Sequence, residues 1–240
     1  MSELDHRLSK ALTAHSLIVA ALNVVHSLRT RGFRRTLLFG ALGNGIPILG
    51  ELLAIHVLKV IRHHIQPQTR GVPLAIALGW YNVGYGTLVV VNSAFNDGDK
   101  PRATKILAPT VALVATSLDL LLDPFGLDLG LWEWSEDGPY APEVKGPNGK
   151  RGLPMLNFAG WITLSTGVTL AYQHLRTRGN ATEAAESEIG GVQGAERSAA
   201  LLLLSYYLPA AAWALKRGRR RYFLFSAPFA KALWATLRRC

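Results

Sequence analysis

The chain has 240 residues, of which 49% are apolar and only 18% charged, with a formal net charge of +10. A soluble protein of this length would divide its apolar residues among amphipathic stripes or alternating strands; here they gather into runs long enough to cross a bilayer. The positive charge makes no case for nucleic acid. The bases cluster at run ends, Arg29, Arg31, Arg34 and Arg35 after the first and Lys216, Arg217, Arg219, Arg220 and Arg221 after the sixth, where they meet anionic lipid and set orientation.

Six transmembrane helices are expected, near 11–28, 36–61, 72–95, 104–122, 156–175 and 198–215. The predicted fold class is therefore all-α, a single integral membrane helical bundle over 1–240. The first run reads as a retained span and not a cleaved signal. Its leader mixes acids with bases, and no small-x-small cleavage site follows Leu28. In the second run Pro47 cannot donate to the carbonyl of Gly43, so a kink is expected there. Asn44 and Glu51 share a face of that helix. Glu51 is either a boundary residue paired with a neighbouring base or an acid facing a central cavity.

The third run carries G-W-Y-N-V-G-Y-G. Trp80, Tyr81, Asn82 and Tyr85 are candidates for the lining of a substrate cavity; their alternative role is ordinary helix packing, with glycines allowing close approach. In the fourth run Thr116, Asp119 and Asp123 fall on one stripe, and Pro124 is expected to end the helix. Between the fourth and fifth runs lies a loop with Trp132, Glu133, Trp134 and Tyr140. It is expected to cover the cavity mouth; the alternative is an interfacial aromatic belt. Asn157, Trp161, Ser165 and Tyr172 make a stripe on the fifth. Residues 179–197 read as a flexible linker. The basic tail 216–240 should hold an interfacial amphipathic helix, because Pro228 and Lys231 interrupt a short run. The tail's bases also favour both termini on the cytoplasmic side.

Ionisable groups at membrane depth are expensive and usually mark a site. Asp119 and Asp123 repel each other when both are charged, and holding a proton relieves that. A held proton beside aromatic surface suits protonation of a carbon–carbon double bond. Other chemistries fit less well. Seven histidines with only His63 and His64 adjacent do not make di-iron boxes. D-L-L-L-D occurs once, where a magnesium-dependent prenyl transferase needs two such motifs. Cys240 is the only cysteine, so thiolate metal sites and disulfides are absent. Walker, nucleophile-elbow and dinucleotide motifs are missing, as are the repeats of a transporter. No metal and no cofactor is expected.

The chain resembles the carotenoid hydratase family, which includes the bisanhydrobacterioruberin hydratases of archaea and the carotenoid 1,2-hydratases of bacteria. The resemblance rests on Glu51, R-G-V-P-L-A-I-A-L-G-W-Y at 70–81, D-L-L-L-D-P at 119–124, W-E-W at 132–134, G-P-Y at 138–140 and G-L-P-M-L-N-F-A-G-W at 152–161. The tract 141–151 is longer than the family pattern, and the region after Glu51 lacks its glycines and aromatics. The resemblance implies a cofactor-independent enzyme of carotenoid biosynthesis that adds water across a terminal isoprenoid double bond. Asp119, Asp123 and Glu51 would be catalytic; Trp80, Tyr81, Asn82, Tyr85, Trp132, Trp134, Tyr140, Asn157 and Trp161 would bind the lipophilic isoprenoid substrate. A proton-initiated terpene cyclase would use the same acids and aromatics in a dry cavity. A non-catalytic lipid-binding or assembly protein would instead pair its acids with bases across helices.

Overall fold

The computed structural model describes residues 3–95, 104–177 and 195–239. The first two apolar runs lie in one element, α1 (Glu3–Leu52), broken at Gly32, where φ is 78° and ψ 168°. Side chains with a Cβ disfavour that backbone region, and glycine does not. The arms on either side fold back on each other. Thr36 Oγ1 lies 2.8 Å from Ser27 Oγ, whereas nine residues of straight helix would separate them by about 13 Å. Pro47 lies inside the second arm; the backbone that leaves the helical region is that of Gly32.

The second run does not stay helical to residue 61. After Leu52 comes a π-helical turn (Leu53–Val57) and then strand β1 (Ile61–His63), and His56, Lys59 and Arg62 interrupt the apolar run there. A short hairpin of β2 (Gln68–Thr69) and β3 (Val72–Pro73) leads into α2 (Leu74–Phe95).

Helix α3 (Thr104–Asp128) passes through Pro124, which was expected to end it. Proline lacks the N–H that would bond the carbonyl of Leu120. The Tyr140 hydroxyl donates to that carbonyl at 2.6 Å and satisfies it instead. Burial pushes the Tyr140 phenol up, so the group stays a donor.

The expected loop after α3 is partly strand. β4 (Trp132–Trp134) pairs antiparallel with β1, Ile61 opposite Trp134 and His63 opposite Trp132. The longer tract forms a hairpin of β5 (Tyr140–Lys145) and β6 (Arg151–Leu153).

Then follow α4 (Met155–Thr177), α5 (Ala195–Lys216), α6 (Arg221–Phe225) and α7 (Ala227–Arg239). Of the expected linker, 179–194 lies outside the described residues, and Ala195–Arg197 already belongs to α5. The tail does contain an amphipathic helix, α7, and its apolar face is docked on the bundle. Phe229, Ala232 and Leu233 are buried, Thr236 Oγ1 donates to the Val90 carbonyl, and the Phe229 amide donates to Ser117 Oγ.

Among the described residues four helical stretches are long and apolar enough to cross a membrane: His6–Val57, Leu74–Phe95, Lys105–Asp128 and Glu196–Lys216. The first, at 52 residues, is twice a single span and includes both arms of α1. Outward faces carry exposed Leu17, Ile18, Leu22, Leu37, Leu113, Leu201 and Leu208, a surface suited to lipid and not to water. Inside, a core of Phe39, Tyr85, Leu88, Leu118, Leu203 and Phe229 joins α1, α2, α3, α5 and α7. A second core of Leu121, Leu127, Trp134, Val144, Leu153 and Tyr222 fixes the strands against α3 and α5. Asp128 at the end of α3 reinforces this end, accepting from Trp213 Nε1 at 2.8 Å and from Arg217 at 3.0 Å.

Candidate active site

Both arms of α1, the helices α2 to α5 and the β1–β4 ribbon surround a cavity of about 440 Å³. It lies at the end where the first arm begins and α3 ends. Leu12 and His15 line it from the first arm, Glu51 from the second, Trp80 from α2, Asp119 and Asp123 from α3, Asn157 and Trp161 from α4, and Tyr206 from α5. The lining is mostly apolar, and its polar groups are few and grouped.

One group is built around Asn157. Its side-chain amide donates to Asp119 Oδ2 at 2.9 Å and to Asp123 Oδ2 at 2.5 Å. Both aspartates are buried. Trp132 Nε1 donates to the other Asp123 oxygen at 2.6 Å. These donors are neutral, so the carboxylates are oriented without a base to neutralise them. Gly126 makes the Trp132 position possible: a Cβ there would fall on the indole ring.

The second group centres on Glu51. Trp80 Nε1 donates to its Oε1 at 2.9 Å, and His63 Nε2 lies 3.0 Å from its Oε2. Trp80 also stacks on Trp161, with ring centroids 3.9 Å apart. Trp132 and Trp134, two residues apart on β4, both face the cavity, and Glu133 points the other way toward Arg62 and His64. Among the described residues no three His, Cys, Asp or Glu side chains are grouped as metal ligands.

Of the expected site residues, Glu51, Asp119, Asp123, Trp80, Trp132, Trp134, Asn157 and Trp161 line this cavity. Four others are placed elsewhere. Asn82 joins helices: its amide donates to the Ser16 carbonyl and to Tyr206 Oη, and it accepts from Asn23. Tyr85 is fully buried against Phe39, with its hydroxyl 2.7 Å from His26 Nδ1 and Arg31 over its ring. Tyr81 stacks on Tyr85. Tyr140 lies beside α3, edge-on to Phe158. Sequence reasoning missed His63, His15 and Tyr206. His63 had a signal in its place twelve residues after Glu51, within a polar interruption of an apolar run.

A family model described as carotenoid biosynthesis protein matches residues 12–214. The chain belongs to that family. The match takes in every residue of the two polar groups and stops before the tail helices. No curated protein and no solved structure matches the chain. Membership assigns a role in carotenoid biosynthesis, and the family's chemistry in this chain must then be read from the cavity. Acids, indole faces and an apolar enclosure are its materials.

Proposed function

We propose that the protein is a membrane enzyme that hydrates a terminal isoprenoid double bond of a linear carotenoid or related polyprenyl chain. The observation that carries this is two buried aspartates held side by side by one amide on the wall of an apolar, tryptophan-lined cavity. One aspartic acid delivers a proton to the less substituted alkene carbon, and a tertiary cation forms. An outer face of the stacked Trp80–Trp161 pair offers a π surface to that cation, worth about 0.5–2 kcal/mol when desolvated. Water then attacks the cation, and a base across the cavity takes its proton.

A non-catalytic role would lead to acids neutralised by bases across helices. The donors on Asp119 and Asp123 are Asn157 and Trp132, which speaks for chemistry. Six membrane crossings, with both ends of the bundle on the cytoplasmic side of the cell membrane, complete the proposal. An even number agrees with the first arm and the end of α5 both reaching the acid end.

The test is product analysis of the expressed protein with linear carotenes and shorter polyprenyl chains in heavy-oxygen water. A product carrying the heavy oxygen supports a hydratase. An isomer of unchanged mass would replace this reading with a cyclase.

A further inference from the structure

Glu51 is the carboxylate that faces the aspartates, yet its two oxygens are already engaged, one by Trp80 and one by His63. A carboxylate held this way orients its partners better than it takes protons from substrate water. His63 is its outlet. Acceptance by Glu51 puts the imidazole hydrogen on Nε2, which leaves Nδ1 of the neutral ring as an acceptor. His63 is only 7% exposed, and its Nδ1 is buried without a hydrogen-bond partner among the described residues.

Trp134 gives a second, independent observation. It is 5% exposed, and its Nε1 donor is likewise buried and unpartnered among the described residues. Both side chains line the cavity. They lie diagonally across the β1–β4 ribbon, since Ile61 is opposite Trp134 and His63 opposite Trp132. Diagonal neighbours on one face are about 7–8 Å apart at most between backbones, within reach of large side chains. One face of the ribbon thus offers an acceptor and a donor together. Buried polar atoms without partners are costly and call for a ligand. A single hydroxyl oxygen lodged between them would satisfy both.

We propose that His63 and Trp134 form the oxygen subsite of the cavity, with His63 the general base and Glu51 its positioning residue. This rests on the hydratase reading. The Trp134 N–H donates to the water oxygen. As the carbon–oxygen bond forms at the tertiary cation, a water O–H bond breaks and its proton goes to His63 Nδ1. Glu51 holds the resulting imidazolium. The aspartate that gave its proton to the alkene regains one through solvent when His63 gives its proton up. Water is the sole co-reactant.

The test uses the purified full-length protein in lipid nanodiscs, a linear carotene with isopropylidene ends, and deuterium oxide as solvent. Two quantities are followed: tertiary alcohol formed, and deuterium exchanged into the terminal alkene by protonation without capture. For His63→Gln we expect alcohol formation to fall about 10²- to 10⁴-fold while exchange continues. Trp134→Phe keeps an aromatic side chain and removes the N–H together with part of the ring; at a melting temperature near wild type it should shift the same ratio about tenfold. Wild-type alcohol formation in His63→Gln overturns the assignment. So does a parallel loss of alcohol and exchange in a variant that melts like wild type. If His63→Gln does not fold, an unchanged ratio in Trp134→Phe overturns it. Wild-type protein that makes no alcohol removes the hydratase reading itself, before His63 is altered.

Discussion

Gly126→Ala should uncouple one wall of the cavity, and the size of the effect follows from its neighbours. The new methyl carbon would fall on the Trp132 indole. Overpacking of this kind costs about 1–3 kcal/mol. Moving the ring also breaks the 2.6 Å bond from Trp132 Nε1 to Asp123, and leaving a buried polar group without its partner costs about 1–3 kcal/mol. Against this, alanine gains about 1 kcal/mol over glycine in a helix. The steric and polar losses are larger, so the single variant is destabilised. In a Trp132→Ala background the obstacle is gone, and the same substitution should be neutral or slightly stabilising. Thermal unfolding of the detergent-solubilised single and double variants measures this reversal of sign. Turnover of Gly126→Ala should fall about 10- to 100-fold as Asp123 loses its orienting donor. An equal cost in both backgrounds would refute the reasoning.

Asp119→Asn and Asp123→Asn should each lower turnover by about 10²- to 10⁴-fold while insertion and melting stay near wild type, because an amide keeps the shape and delivers no acid proton. Near-normal activity in both would remove the aspartates from the mechanism. Tyr140→Phe leaves the Leu120 carbonyl unsatisfied and should cost about 1–3 kcal/mol in unfolding. That cost should vanish in a Pro124→Ala background, where residue 124 regains an N–H for the same carbonyl. On β5, burial would raise the Glu143 carboxyl, but hydrogen bonds from Tyr222 and Arg221 outweigh it and hold the group below its usual range. Its stabilisation is present above the ordinary carboxylate value and lost as pH falls through the folded one. The melting advantage of wild type over Glu143→Gln should therefore be full at neutral pH and shrink below about pH 4.

The helices were legible because hydropathy is a local property, and α2, α4 and α5 begin and end within a few residues of the runs that announce them. The acids were legible because a carboxylate in an apolar run is costly wherever it points. What escaped depends on distant partners. α3 continues past Pro124, and the carbonyl that the proline leaves free is satisfied by Tyr140 from the strands beyond. β1 and β4 are three residues each and gain their order from pairing across some seventy positions of chain, which no local pattern reveals. Tyr81, Asn82 and Tyr85 share a helix with Trp80, yet rotation about that helix turns them toward α1 and α5 and away from the cavity. Gly32 lies among bases that read as a loop, and only the close contact of Thr36 with Ser27 shows how sharply the chain turns there.

Hydration and cyclisation share the first step and part at the fate of the cation. A cyclase protects it with apolar and aromatic surface until an internal alkene arrives. A polar atom left unsatisfied in such an enclosure costs about 1–3 kcal/mol and serves nothing. The wall formed by α2 and α4 suits either enzyme, since Trp80 and Trp161 present stacked rings. The wall formed by the β1–β4 ribbon does not. It buries a histidine nitrogen and an indole N–H that bond to nothing among the described residues, on a face that also carries Trp132 to Asp123. Two unsatisfied polar atoms are a poor lining for a dry cavity and a suitable one for a held water. That asymmetry, aromatic on one side and hydrogen-bonding on the other, is the physical reason to place capture by water ahead of ring closure.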